Sequence, residues 1–271
     1  MAEPPIRIMV FGAHPDDCEA RAGGLALKHA ALGNRVRFVS VTNGDAGHHL
    51  IGGVELARRR RGEAEAVSRL AGVEYEVFDL HDGELEPSLE NRKRVIRAIR
   101  RFRPDLVLTH RPHDYHPDHR YTSILVQDAL FLVTVPNLCT DVEIAERMPV
   151  AAYLSDAFQR PYPFTPAVAI DIDDVVERKL DMLHCHVSQM YEWLPFNAGR
   201  LEEVPQGDGE RRAWLAHRLR AFTAAAERCR SLLVARYGEE RGRRVQHAEE
   251  FEACEYGSPL TPEAARLLFP F

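Results

Sequence analysis

The sequence predicts an α/β domain with a Rossmann-like, doubly wound sheet. Two observations carry that expectation: short apolar runs alternate with amphipathic stretches through the first two thirds of the chain, and three of the runs end in polar loops rich in histidine and aspartate. Strands separated by helices pair in parallel through right-handed crossovers. A chain of 271 residues suits one such domain, with a core over about residues 5–190 and a C-terminal helical cover over about 191–271.

The elements follow in order. Residues 6–12 form an apolar run of strand length, and residues 21–32 repeat apolar positions at helical spacing until Gly33-Asn34 stops them. Residues 35–42 read as a second strand, 55–70 as a helix, 75–80 as a third strand, 89–102 as a helix and 105–109 as a fourth strand. Residues 121–133 and 175–186 read as helices, 150–154 and 168–172 as strands, and 210–237 as one long arginine-rich helix. Residues 193–209, rich in proline, glycine and acid, read as a loop or partial lid.

Composition narrows the function classes. A net charge of −6 and a pI near 6.1 give no whole-protein attraction for nucleic acid or an anionic membrane. No window approaches the roughly eighteen apolar residues of a membrane span, and the run into the first strand leaves no room for a secretory leader. Five scattered cysteines without a C-x-x-C pair fit neither a disulfide framework nor a thiolate zinc cage, so a cytoplasmic setting is expected.

The chemistry concentrates at strand ends. His14, Asp16 and Asp17 follow the first strand, and His116, Asp118 and His119 follow the fourth. In an open parallel sheet the ligand crevice lies outside the carboxyl ends of the strands, so loops distant in sequence converge there. Two histidines and a carboxylate, here His14, Asp17 and His119, make an open-sided site for zinc or another divalent ion such as iron. Asp16, beside a ligand in a proline-containing turn, is the candidate general base. Asp118 set against an imidazole nitrogen of His116 would fix its tautomer and suit it to oxyanion stabilisation and proton delivery.

Plainer explanations exist for each feature. A lone H-x-x-H is weak, and His110, His113, His116 and His119 recur every third residue as a solvated loop also would. His110 and His113 are expected beside the site or in solvent. Cys18 reads as a small buried hydrophobe, and most of Arg58-Arg59-Arg60-Arg61 as a solvated helix face.

Ala13 to Glu19 reads A-H-P-D-D-C-E, and His116 to His119 reads H-P-D-H. With Thr42-Asn43-Gly44-Asp45, Arg60-Arg61-Gly62-Glu63, Leu80-His81-Asp82-Gly83 and His186-Val187-Ser188-Gln189, the chain resembles the LmbE-like, or PIG-L, family of metal-dependent N-deacetylases over about residues 5–190. The resemblance implies zinc on His14, Asp17 and His119, Asp16 as base, His116 with Asp118 as electrostatic and acid partner, and substrate contacts from Arg60 and Asp82. It implies an N-acetylglucosamine-type sugar or conjugate as substrate, and related enzymes often form homo-oligomers. Three alternatives stand beside it: a thiol-conjugate amidase of the same family, a non-haem iron oxygenase, and an inactive sugar- or nucleotide-binding protein. The oxygenase calls for closely spaced antiparallel strands, and a nucleotide binder for a glycine-rich phosphate loop that does not follow the first strand.

Overall fold

A computed structural model describes residues 4–217 and 220–271. The strands are β1 (Arg7–Gly12), β2 (Arg35–Ser40), β3 (Glu74–Val77), β4 (Leu106–Thr109), β5 (Val150–Leu154), β6 (Val168–Asp171) and β7 (Ala248–Ala253). They form one sheet in the order β3-β2-β1-β4-β5-β7-β6. The first five are mutually parallel, and β7 runs antiparallel to both β5 and β6. Five parallel strands joined through helices set the oxygenase architecture aside.

The alternation of β1 decides the layers. Ile8 and Val10 pack on the face covered by α1 (Asp17–Ala31), α2 (Gly53–Ala71) and α5 (Val176–His184). Met9 and Phe11 pack on the other, beneath α3 (Leu89–Phe102) and α4 (Pro117–Leu132). All four side chains are fully buried, as a central strand covered on both sides requires. In this order the winding direction reverses between β1 and β4, and the loops carrying both histidine motifs leave the sheet there.

Several boundaries differ from the sequence expectation. Helix α1 begins at Asp17 and α4 at Pro117, so the first turns of both helices belong to the motifs read as loops. Pro117 suits the first helical position, which needs no N–H, and His116 caps it by accepting the Asp118 N–H on Nδ1 at 3.2 Å. The long helix expected over 210–237 is α7 (Asp208–Ala216), α8 (Arg220–Arg228) and α9 (Arg230–Tyr237); the expectation for residues 218 and 219 lies outside the described residues. Non-helical dihedrals at Cys229 divide α8 from α9. Residues 193–209 are not a continuous loop: Trp193 closes a π-helix (Ser188–Trp193), followed by α6 (Leu194–Asn197).

Strand β7 was not expected at all. Its sequence, AEEFEA, places Glu249, Glu250 and Glu252 in the interior, each held by a distant partner. Glu249 takes Lys179 Nζ at 2.6 Å and the backbone N–H groups of Gly24 and Leu25 at 2.7 and 2.8 Å. Those amides lie beside the kink at Ala22 in α1. The C-terminal residues are therefore more than a cover, since they supply a strand inside the sheet. Among the described residues no helix is long and apolar enough to cross a membrane.

Candidate metal centre

The turn after β1 is built to present side chains. Asp17 Oδ2 accepts the His14 N–H at 2.8 Å and closes the turn, while Asp16 adopts φ 143°, in the region unfavourable for a residue with a Cβ. Such strain persists only where surroundings enforce it. Arg60, 1% exposed on α2, supplies that enforcement: Nη2 donates to Pro15 O at 2.7 Å, Nη1 to Gly44 O at 3.3 Å, and Asp16 Oδ1 lies 3.5 Å away. Gly44 makes room for it, since a Cβ there would stand 2.3 Å from Arg60 Nη1. Arg60 is thus not part of a solvated basic face, although its neighbours Arg58 and Arg61 are exposed.

Three donor atoms meet in front of this turn. His14 Nδ1, Asp17 Oδ2 and His119 Nε2 are separated by 3.3, 3.5 and 3.6 Å. Ligands held tetrahedrally at zinc bond lengths stand about 3.3–3.5 Å apart, so the triangle has the right size for one face of such an ion. The donor chemistry agrees, with two imidazoles and one carboxylate on one open side.

Each histidine has a carboxylate near its other nitrogen. His119 Nδ1 faces Asp114 Oδ2 at 3.1 Å, and Asp114 Oδ1 also takes the His116 N–H at 2.9 Å. His14 Nε2 faces Asp82 Oδ1 at 3.0 Å and Asp118 Oδ2 at 3.4 Å. A carboxylate behind an imidazole fixes the tautomer and raises the basicity of the nitrogen in front. Asp114 is a residue the sequence reading missed; its position five residues before His119 was the only signal available.

The pairing expected between Asp118 and His116 takes a different form. The Asp118 carboxylate turns to the Gly83 N–H at 2.7 Å and to His14, while its backbone N–H reaches His116 Nδ1. As the first turn of α4 fixes this geometry, neutral His116 carries its proton on Nε2. His110, stacked on His119 at 4.2 Å, lies near enough to join Asp17 and His119 around an ion. Its Nε2 lone pair instead accepts the Ala13 N–H at 3.1 Å. His113 packs against Tyr162, away from the donors.

Burial sets the charges. It pushes the Asp16 carboxyl up to about 6 despite the opposing Arg60 guanidinium. At Asp82 burial also raises, but His14 and Arg60 outweigh it and bring the group down to about 2. Burial and then the His14 charge hold His116 below the ordinary imidazole value. His14, Asp16, Asp17, Arg60, Asp82, His116 and His119 all line one cleft of about 550 Å3, whose walls include Tyr115, Phe158, Met190 and Trp193. Cys18 lies buried behind it, donating to Val10 O.

Fold and site define a Rossmann-like α/β protein with a candidate His/Asp metal centre at the switch point of its sheet. The family model described as PIG-L, GlcNAc-PI de-N-acetylase, matches residues 9–130. A diacetylchitobiose deacetylase of Thermococcus kodakarensis is 31% identical over 201 residues, 70% of this chain and 74% of that protein. A 4-oxalmesaconate hydratase of Pseudomonas putida is 26% identical over 201 residues, 71% of this chain and 78% of that one. The structure of the N,N'-diacetylchitobiose deacetylase from Pyrococcus horikoshii aligns with a TM-score of 0.71 at 25% identity, over 92% of this chain and 84% of that one. The chain belongs to the PIG-L, or LmbE-like, family of metal-dependent deacetylases, which also has hydratase members.

Proposed function

We propose that this protein is a zinc-dependent N-deacetylase acting on an N-acetylated amino sugar or a conjugate of one, in a single domain spanning residues 1–271. The observation that carries the reading is the 3.3–3.6 Å donor triangle of His14, Asp17 and His119, with Asp16 in the same cleft. Zinc held there supplies Lewis acidity toward an amide carbonyl and makes water nucleophilic at neutral pH.

The remaining steps belong to the chain. Asp16, with its carboxyl raised to about 6, takes a proton from the attacking water and returns it to the departing nitrogen. His116, neutral with its proton on Nε2, donates to the carbonyl oxygen as negative charge develops on it. Asp118 holds His116 through its backbone and His14 through its carboxylate. Arg60 keeps the strained Asp16 turn in place, and Asp82 orients His14.

Assay with both substrate classes separates this reading from hydration of a polycarboxylate such as oxalmesaconate. Zinc-loaded protein should release amine from N-acetylglucosamine derivatives and leave the absorbance of oxalmesaconate unchanged. Hydration without amine release would transfer the protein to the other branch of its family, and release confined to thiol conjugates would make it an amidase.

A further inference from the structure

One wall of the cleft has its own fastening. In the π-helix Ser188–Trp193 and the start of α6, Gln189, Met190, Trp193 and Leu194 line the cleft. Glu192 turns the other way. Arg59 on α2 grips its carboxylate with both Nη atoms, each at 2.7 Å, and His48 Nε2 reaches it at 2.7 Å. His48 Nδ1 accepts the N–H groups of Leu50 and Ile51, so the neutral ring carries its proton on Nε2, facing Glu192.

The near end of the segment is held from the same helix. Glu63 accepts the Ser188 N–H at 2.8 Å and its hydroxyl at 2.6 Å, and Gln189 Nε2 donates to Gly47 O at 3.0 Å. Between Arg59 and Glu63 on α2 lies Arg60, which holds the Asp16 turn. One helix therefore brackets both the reacting groups and the wall. The indole Nε1 also lies within ordinary van der Waals reach of Gly47, where a Cβ would stand 3.6 Å from it and 3.2 Å from Asp82 Oδ2.

This fastening contributes little to global stability. Arg59 and Glu192 are 34% and 27% exposed, and partly exposed ion pairs are worth about 0–1 kcal/mol. A bidentate pair plus a histidine, spent on a π-turn, is better explained by what the turn presents, because such turns recur at functional sites. What it presents is an indole on the lining of the cleft, stacked on Phe196 at 6.1 Å, with Tyr115 and Phe158 elsewhere on the same lining.

We infer that Trp193 determines specificity by stacking on a second ring of the substrate, a sugar or an aryl group joined to the N-acetylated sugar, and that Glu192 is the residue positioning it. This rests on the N-deacetylase reading of the site. A ring contact of this kind is worth about a three- to tenfold change in binding.

The test uses N-acetylglucosamine and its phenyl β-glycoside as probes. For zinc-loaded enzyme, Glu192→Gln should raise KM for the phenyl glycoside by about fivefold while changing kcat by less than about twofold, and should alter KM for N-acetylglucosamine far less. Arg59→Lys, which keeps the charge but loses the fork, should reproduce that split. Trp193→Phe should keep more of the preference than Trp193→Ala. The second arm needs no turnover: of the two tryptophans, Trp193 and Trp214, the phenyl glycoside should quench a signal that Trp193→Phe removes. Equal KM ratios in wild type, Glu192→Gln and Arg59→Lys would overturn the positioning role, and quenching that survives Trp193→Phe would overturn the stacking role. Absence of amine release from both probes would remove the deacetylase reading while the quenching arm still decides whether Trp193 binds the ring.

Discussion

At the scale of single residues, Asp16 and Asp17 show how adjacent carboxylates acquire different roles. Asp17 faces His119, His110 and His14, whose attraction outweighs burial and keeps it ionised, whereas burial dominates at Asp16. Asp16→Asn should therefore retain one metal per chain and lose turnover by about 10²–10⁴-fold; near-normal turnover in a steady-state assay would remove it as base. His119→Ala should lose the ion outright. Asp114→Asn, which leaves His119 in place but weakens the carboxylate behind it, should lower zinc affinity by about 10–100-fold in a competition titration. The donors were legible because each motif is contiguous and ends a strand, so topology alone brings them together. Asp114 was not, because its role depends on how the loop 110–116 folds back onto His119. The direction of the Asp118 carboxylate was illegible for a similar reason: the start of α4 at Pro117 turns it toward Gly83 and His14.

At the scale of elements, the parallel strands were legible from apolar runs, and β7 was not. A stretch of glutamates reads as solvated until Lys179 and the amides of a kinked helix are supplied from 70 and about 225 residues away. Lys179→Met should strip Glu249 of the buried cation it pairs with among the described residues and cost about 3–5 kcal/mol in denaturant unfolding, because an unpaired buried charge remains. Gly24 is the matching steric constraint. A Cβ there would lie 2.6 Å from Ile172 Cγ2 and 3.0 Å from Glu249 Oε1. Gly24→Ala should then destabilise by about 1–3 kcal/mol despite the better helix propensity of alanine, and an unchanged melting temperature would show that the kink relaxes.

At the scale of the whole molecule, His29 ties the two ends of the chain to the sheet. Its Nε2 meets Leu268 O at 3.1 Å beside the C-terminal Phe271, and its Nδ1 meets Asn34 Nδ2 at 3.0 Å. Asn34 cannot turn over freely, because its Oδ1 already accepts the Ile6 N–H. Burial lowers the ring from its ordinary 6.5 to about 4. Between those values the unfolded chain binds a proton that the folded chain does not, so stability falls as pH drops through that window and is recovered above it. The loss reaches roughly 3 kcal/mol at most, read as a steeper acid decline of unfolding free energy in wild type than in His29→Gln. Parallel declines would show that His29 titrates equally in both states.

The central claim is that a single ion held by His14, Asp17 and His119 enables deacetylation in this cleft. The most direct measurement is acetate release from an N-acetylglucosamine conjugate as chelator-stripped protein is titrated with zinc, for wild type and His119→Ala side by side. Activity rising to a plateau at one equivalent in wild type, with none in His119→Ala, is the predicted result. Release that does not depend on added zinc, or that survives in His119→Ala with the same titration curve, would contradict it.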